Sequence, residues 1–501
     1  MFNKKEKFYI TTTLPYVNAD PHIGFALEII QADVIARYHR NNGFDVFFNT
    51  GTDEHGLKIF RGAEQENLAP QRYCDIYAEK NKKLKDALNL SYNNFIRTTD
   101  EHHIKAAQEF WNLCYKNGDI YKKNYKIKYC VGCELEKTES ELVDGKCPIH
   151  PNKEVEIIEE ENYFFKYSKY QKTLLEFYEK NKNFVVPESK FKEIKEFTKR
   201  GLEDFSISRL KEKMPWGVPV PNDDKHVMYV WFDALVNYIS ALGWPENVEK
   251  FGDFWPGLQV AGKDNLRQQS SMWQAMLLSA NLPNSKQIFI HGFVTANGQK
   301  MSKSLGNVID PFELVKKYGT DAVRYYLLRE ILPIEDGDFT YEKFEQRYNA
   351  DLAGGIGNLV ARVLGIAGKL DIKITEPGKA IKNKVQEIKD DCKASLEDFK
   401  FNEALSSVWR LISYCDKYIN DEKLWETHLT SSGQTKKLEV VNDLFYTINE
   451  IADLLSPFLP ETSEKIKKAL GRNQTGEAIE ENLPAQAGKS VALFPRILSN
   501  K

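Results

Sequence analysis

Apolar runs long enough to cross a membrane are missing: no stretch of about 18 such residues is seen along the 501-residue chain, so no membrane-spanning element is expected. A secretory leader is missing too. Met1 to Lys7 is charged, but Phe8-Tyr9-Ile10 is far too short for an apolar signal core. Net charge is only −3, so bulk charge does not announce a polyanion partner, and phosphates would have to be met by local patches. Cysteines are few and odd in number: seven, of which Cys74, Cys114, Cys392 and Cys415 stand apart. That speaks against a disulfide framework and for a reducing compartment, hence a cytoplasmic location. Internal repeats and low-complexity tracts are absent. What is present, 42% hydrophobic residues with 12% aromatics, is ample for buried cores. The length predicts roughly three domains.

Phe8 to Thr13 is β-branched and aromatic and reads as a strand, broken by Pro15 and by Asn18 to Pro21. Ile23, Leu27, Ile30 and Val34 then recur at helical spacing until Asn41-Asn42-Gly43 stops the helix. A second apolar strand, Val46 to Phe48, leads into Thr50-Gly51-Thr52-Asp53. Strand, helix and strand at this spacing predict a βαβ unit and a parallel sheet. The pattern returns at Leu258 to Ala261, a helix from about Gln268, and Gln287 to Ile290. Between the halves, residues 119–225 are rich in Lys, Glu and Tyr and read as an insertion into one nucleotide-binding domain. From about residue 340 helical stripes take over, first Val408, Leu411, Ile412, Cys415 and Ile419, then Val441, Leu444, Phe445, Ile448, Ile451 and Leu455, closed by Pro457. That pattern predicts a helix bundle.

Two motifs carry phosphate chemistry. Pro21-His22-Ile23-Gly24 lies where the first strand meets the first helix. Ligands bind at strand carboxyl ends in such folds, and a helix N-terminus favours phosphate. Gly24 permits close approach and His22 can donate a hydrogen bond. Lys300-Met301-Ser302-Lys303-Ser304, followed by Leu305-Gly306-Asn307, can set two ammonium groups against phosphates. Together they are expected to close over a triphosphate from two sides of one sheet edge. Separately, Cys130-x-x-Cys133 and, thirteen residues on, Cys147-x-x-His150 offer three thiolates and one imidazole. That set closes a tetrahedral Zn²⁺ site, one ion per chain, and four protein ligands make it structural.

At these residues the chain resembles class I aminoacyl-tRNA synthetases, which carry His-Ile-Gly-His and Lys-Met-Ser-Lys-Ser signatures. Phe25 stands where the fourth signature residue is histidine. Leu14-Pro15-Tyr16-Val17-Asn18, Gly51-Thr52-Asp53-Glu54-His55-Gly56 and Tyr229-Val230-Trp231-Phe232-Asp233-Ala234 with Tyr238 are similar to the methionyl group of that family. The resemblance runs from about residue 8 to about 470. It implies an α/β fold: a Rossmann-type doubly wound parallel sheet over 1–118 and 226–305, interrupted at 119–225 by a connective insertion with a zinc knuckle. A stem-contact segment (306–345) and an all-α anticodon-binding bundle (346–501) would follow. No extra domain is read after the bundle, so no dimerisation or tRNA-binding appendix is expected and a monomer is the default.

It also implies an ATP-dependent ligase with methionine, ATP (with Mg²⁺) and tRNA(Met) as partners. His22, Lys300 and Lys303 would be catalytic, and His22, Gly24, Glu28, Gly262, Asp264 and Lys303 would hold ATP, the carboxylates taking ribose hydroxyls. Leu14, Tyr16, Trp231, Tyr238 and Trp273 would wall a thioether pocket, since sulfur–aromatic contact is favourable, and Asp53 would hold the α-ammonium. The pocket departs from the pattern at Leu235, in place of proline, and at Gln268-Gln269, in place of Phe-His. Asn358, Arg362 and Trp425 would read the anticodon by stacking and edge hydrogen bonds, with Leu424 where proline is usual. A leucyl, isoleucyl or valyl enzyme would need a larger insertion, and a cysteinyl enzyme a zinc with an open position. The other alternative, a non-enzymic zinc-containing RNA-binding protein, would leave the two phosphate motifs unexplained.

Overall fold

The computed structural model describes residues 5–137, 139–301, 306–367, 375–426, 431–471 and 492–498. Its contacts gather into two compact units, one of residues 1–21, 39–85 and 91–291, the other of residues 22–38, 86–90 and 292–501.

The first unit is built on a parallel sheet. Its strands are β1 (Lys7–Thr12), β2 (Asp45–Thr52), β3 (Asn94–Arg97), β7 (Val185–Val186), β11 (Leu258–Gly262) and β12 (Gln287–His291), in the order β3-β2-β1-β11-β12-β7. All five pairings are parallel. Burial of consecutive residues along β1 and β11 follows from a sheet covered on both faces, which alternating apolar and polar residues could not fill. The order reverses between β1 and β11, the switch point at which open α/β sheets bind ligands. Past β2, helices α2 (Leu57–Gln65) and α3 (Pro70–Lys82) close a small core of Val17, Ile59, Tyr73 and Tyr77.

The insertion forms an antiparallel sheet, β5-β4-β6-β8, from β4 (Ile120–Cys130), β5 (Leu135–Lys137), β6 (Glu156–Phe165) and β8 (Phe205–Ser206). A two-stranded ribbon, β9 (Ser208–Leu210) with β10 (His226–Met228), leads out of it. This region is not a separate appendage. Phe165, Tyr167 and Phe205 share one apolar core with Phe110, Phe232 and Trp273, and β7 pairs with β12 inside the main sheet.

The second unit holds most of α1 (Ile23–Asn41) and a small sheet, β14-β13-β15, from β13 (Val294–Ala296), β14 (Gln299–Lys300) and β15 (Gly337–Phe339). Helices Lys379–Glu397, Phe401–Asp421, Ser431–Leu455 and Pro460–Ala469 make the bundle. Arg324, fully buried, ties the unit together: it pairs with Asp33 on α1 at 2.8 Å and donates to the carbonyls of Leu88, Pro457 and Phe458. The helical run Tyr341–Ala367 is long and apolar enough, at a mean hydropathy of 1.3, to pass for a membrane span. Leu352, Ile356, Leu359, Val360, Val363 and Leu364 on it are buried in the unit, as in a core helix.

Candidate functional sites

In the first unit the chain leaving β1 is stitched to the chain leaving β2. The Asp53 N–H donates to the Pro15 carbonyl at 3.0 Å, and the Val17 N–H donates to the Asp53 carbonyl at 3.2 Å. This holds Leu14, Tyr16 and Asp53 at the switch point. Asp53 is buried, and its Oδ1 has no hydrogen-bond partner among the described residues. Burial, and then the nearby Asp233 carboxylate, push its carboxyl well above the usual range. The Tyr16 hydroxyl, the indole N–H groups of Trp231 and Trp273, and the amide oxygens of Gln268 and Gln269 are likewise buried without partners. Orphaned polar atoms are rare in folded interiors. Several of them at residues of one expected pocket are what a small ligand with an apolar body and a charged head would satisfy.

Residues expected to line this pocket also contact one another. Tyr238 packs 6.0 Å from Trp273, and its hydroxyl accepts from the Gln269 side chain at 2.5 Å. Residues Gln268–Met272 form a wide π-helical turn directly before Trp273, where a plain helix start was expected. Glu54, next to Asp53, is fully buried and bound by Arg97 at 2.7 and 2.9 Å, Thr52 at 2.6 Å and Thr99 at 2.5 Å. Leu235 is buried.

Sequence reasoning missed the group beneath this pocket. Asp233 accepts from His55 at 2.6 Å and from His103 at 2.8 Å, and His103 reaches Ser240 at 2.8 Å. Burial raises the Asp233 carboxyl, but the two imidazoles outweigh it and hold it at about 2. The available signal was polar residues inside otherwise apolar motifs, His55 in 51–56 and Asp233 in 229–234.

Gly262 is buried at the end of β11, and Asp264, two residues on, is exposed with its Oδ1 taking the Asn265 amide at 3.3 Å. In the second unit, His22 is exposed at the start of α1, and its Nδ1 accepts from the Gly24 N–H at 3.1 Å. The flanks of the lysine loop lie in this unit as well. The Ile23 N–H donates to the Ile309 carbonyl at 3.0 Å, and a Cβ on Gly24 would stand 3.8 Å from the Met301 methyl. Lys300 is exposed on β14, Glu28 is buried on α1, and Lys303 lies outside the described residues.

The Cys/His set comes together in the insertion. The donor atoms of Cys130, Cys133, Cys147 and His150 all lie within 4.8 Å of one another, with Cys133 Sγ 3.4 Å from Cys147 Sγ and 3.2 Å from His150 Nδ1. Zinc–sulfur bonds of about 2.3 Å in a tetrahedron put ligand atoms roughly 3.8 Å apart, so the set fits such an ion. Gly132 is required there, because a Cβ would fall 2.5 Å from the His150 ring.

On the bundle, Asn358 is exposed at the start of helix Asn358–Ala367, directly after a π-helical stretch, Tyr348–Gly357. Arg362, one turn on, is held by Asp416 at 2.8 Å and Asn420 at 2.9 Å. Leu424 is buried and anchors the turn that leaves Trp425 57% exposed, unlike a core tryptophan.

Known proteins resemble this chain over most of its length. The family described as tRNA synthetases class I (M) matches residues 8–156 and 139–364, and the anticodon-binding domain of tRNA ligases matches 378–494. The methionine–tRNA ligase of Thermotoga maritima is 44% identical over 92% of this chain and 74% of its own length. That of Nostoc sp. is 44% identical over 94% and 91%. A solved Mycobacterium tuberculosis methionyl-tRNA synthetase in complex with methionyl-adenylate superposes with a TM-score of 0.93 at 35% identity, covering 98% of this chain and 100% of that one. The chain belongs to the class I tRNA synthetases and, within them, to the methionine–tRNA ligase family.

Proposed function

We propose that this chain activates methionine with ATP and passes it to tRNA(Met), with the residues above in defined roles. The buried Asp53 carboxylate, with its Oδ1 unpartnered among the described residues, carries the reading, because it offers an α-ammonium group a charge-assisted bond in a desolvated site. Tyr16, Trp231, Tyr238, Trp273 and Leu14 surround the thioether. Glu28 and Asp264 take ribose hydroxyls of ATP. The methionine carboxylate attacks the α-phosphate in line, forming a carboxyl–phosphate bond and releasing pyrophosphate. The terminal ribose hydroxyl of the tRNA then attacks the activated carbonyl and AMP leaves.

Chemistry here is positioning and charge stabilisation. His22, Lys300 and Lys303 neutralise charge on the phosphates, and Mg²⁺ entering with ATP adds to this. Phe25 offers no second imidazole, so the lysines bear a larger share. Zinc in the four-ligand knuckle is structural. Asn358, Arg362 and Trp425 contact the anticodon, Trp425 by stacking.

Amino-acid-dependent ATP–pyrophosphate exchange tests the reading. Methionine should support exchange above every other amino acid. If no amino acid does, the enzyme assignment fails, and if another wins, the pocket assignment fails.

A further inference from the structure

Glu134 directly follows the knuckle residue Cys133 and is fully buried. Its backbone sits at φ 52°, a left-handed conformation that non-glycine residues adopt at a steric cost. The conformation sends its side chain out of the knuckle and into the pocket loop. There Oε1 accepts the Lys58 N–H at 2.7 Å. Lys58 is the second residue of α2, and Gly56 before that helix supplies no side-chain cap. A carboxylate from elsewhere in the chain therefore caps α2, where orphan N–H groups and the helix dipole favour negative charge. Gly56 itself sits at φ 105°, a conformation that side-chain-bearing residues rarely adopt, so the turn into α2 is built for glycine.

The other contacts of Glu134 also run toward the pocket. Its Oε2 is hydrogen-bonded by Tyr129, and its carbonyl accepts from the Tyr229 hydroxyl. Tyr229 precedes the helix Val230–Ala234, which carries Trp231 and Asp233. The Lys58 ammonium lies 5.1 Å over the Tyr16 ring. One residue thus holds the loop that follows Asp53 and the segment that presents Trp231.

We propose that Glu134 is a positioning residue that makes the methionine pocket depend on the folded knuckle. It acts on amino-acid affinity and leaves the ATP side alone. This rests on reading that pocket as the methionine site.

The test uses the full chain with metal content measured. Glu134→Ala should raise the methionine KM in pyrophosphate exchange about tenfold or more, the usual cost of losing a supporting shell. The ATP KM should stay unchanged, and zinc should stay at its wild-type level. Glu134→Gln keeps an acceptor for the Lys58 N–H and should recover most of the loss. An unchanged methionine KM in Glu134→Ala overturns the proposal, as does an equal rise in both KM values or loss of the metal. Should Glu134→Ala not fold, Tyr229→Phe decides. It removes only the hydroxyl on the Glu134 carbonyl and should raise the methionine KM by about threefold; no rise overturns the role. If the wild type prefers another amino acid, it is the pocket assignment that falls, a result separate from any of these.

Discussion

The proposed amino-acid pocket and the proposed anticodon face around Asn358 present their polar atoms in opposite ways. In the pocket, single polar atoms are buried without a partner among the described residues: Asp53 Oδ1, the Tyr16 hydroxyl and the indole N–H groups of Trp231 and Trp273. On the bundle, Asn358 and Trp425 face solvent, and Arg362 is already paired with Asp416 and Asn420. A desolvated site makes each hydrogen bond count heavily, and discrimination among small molecules needs that. An open face gains less per contact and suits a macromolecule that brings a large surface of its own.

The sharpest way to break this contrast is Asp53→Ala. Removing a buried charge partner should lower methionine-dependent exchange by about a hundredfold or more, read as kcat/KM for methionine. A loss under fivefold would mean the pocket is not preorganised around that carboxylate. Next in size is Cys147→Ser. Metal analysis should show zinc lost, and methionine affinity should weaken by about tenfold, because the knuckle supports the pocket side of the comparison. Full affinity in metal-free protein would separate the two. Trp425→Ala should lower kcat/KM for tRNA charging about tenfold, the worth of one stacked base, and leave pyrophosphate exchange at the wild-type level. Equal losses in both assays would erase the distinction between the regions.

The smallest effect is on pH. Burial raises the Asp53 carboxyl, so the free protein takes up a proton there more readily than an exposed aspartate would. An ammonium ligand favours the ionised form. Methionine should therefore bind more weakly as pH falls and release a proton on binding, measurable by calorimetry in buffers of different ionisation heat. Proton uptake would refute this. Asp233 runs the other way. Its carboxyl sits at about 2 against a usual 3.8, so the stability it contributes is present above 3.8 and is lost as pH falls toward 2. Acid unfolding of wild type and Asp233→Asn should differ in that window.

The strands at both sides of the switch point, the first helix, the metal quartet and the bundle stripes were legible because each has a local signal: periodicity, a turn residue, a Cys-x-x-Cys spacing. β7 was not, because Val185–Val186 is too short to show a period, and only its partner β12 makes it a strand. The Asp233 group was not either, since His55, His103 and Ser240 are brought to it from separate elements. Glu134 looked like any residue after a knuckle cysteine. Its cap on α2 is a contact over a separation no spacing rule covers.

The sheet register has a consequence for synthesis. Ile10 pairs with Leu258, so β1 waits about 250 residues of synthesis for one of its two neighbours. At roughly 5–20 residues per second, that is a delay on the order of tens of seconds. During it, β1 and β2 can pair, but the other edge of β1 is open. The insertion must also be made, and β7 laid beside β12, before the sheet reaches its full width. A chain arranged in this way is made with one edge of β1 unpaired until β11 is synthesised. An open strand edge of that kind is a template for pairing with other strands until its own partner arrives.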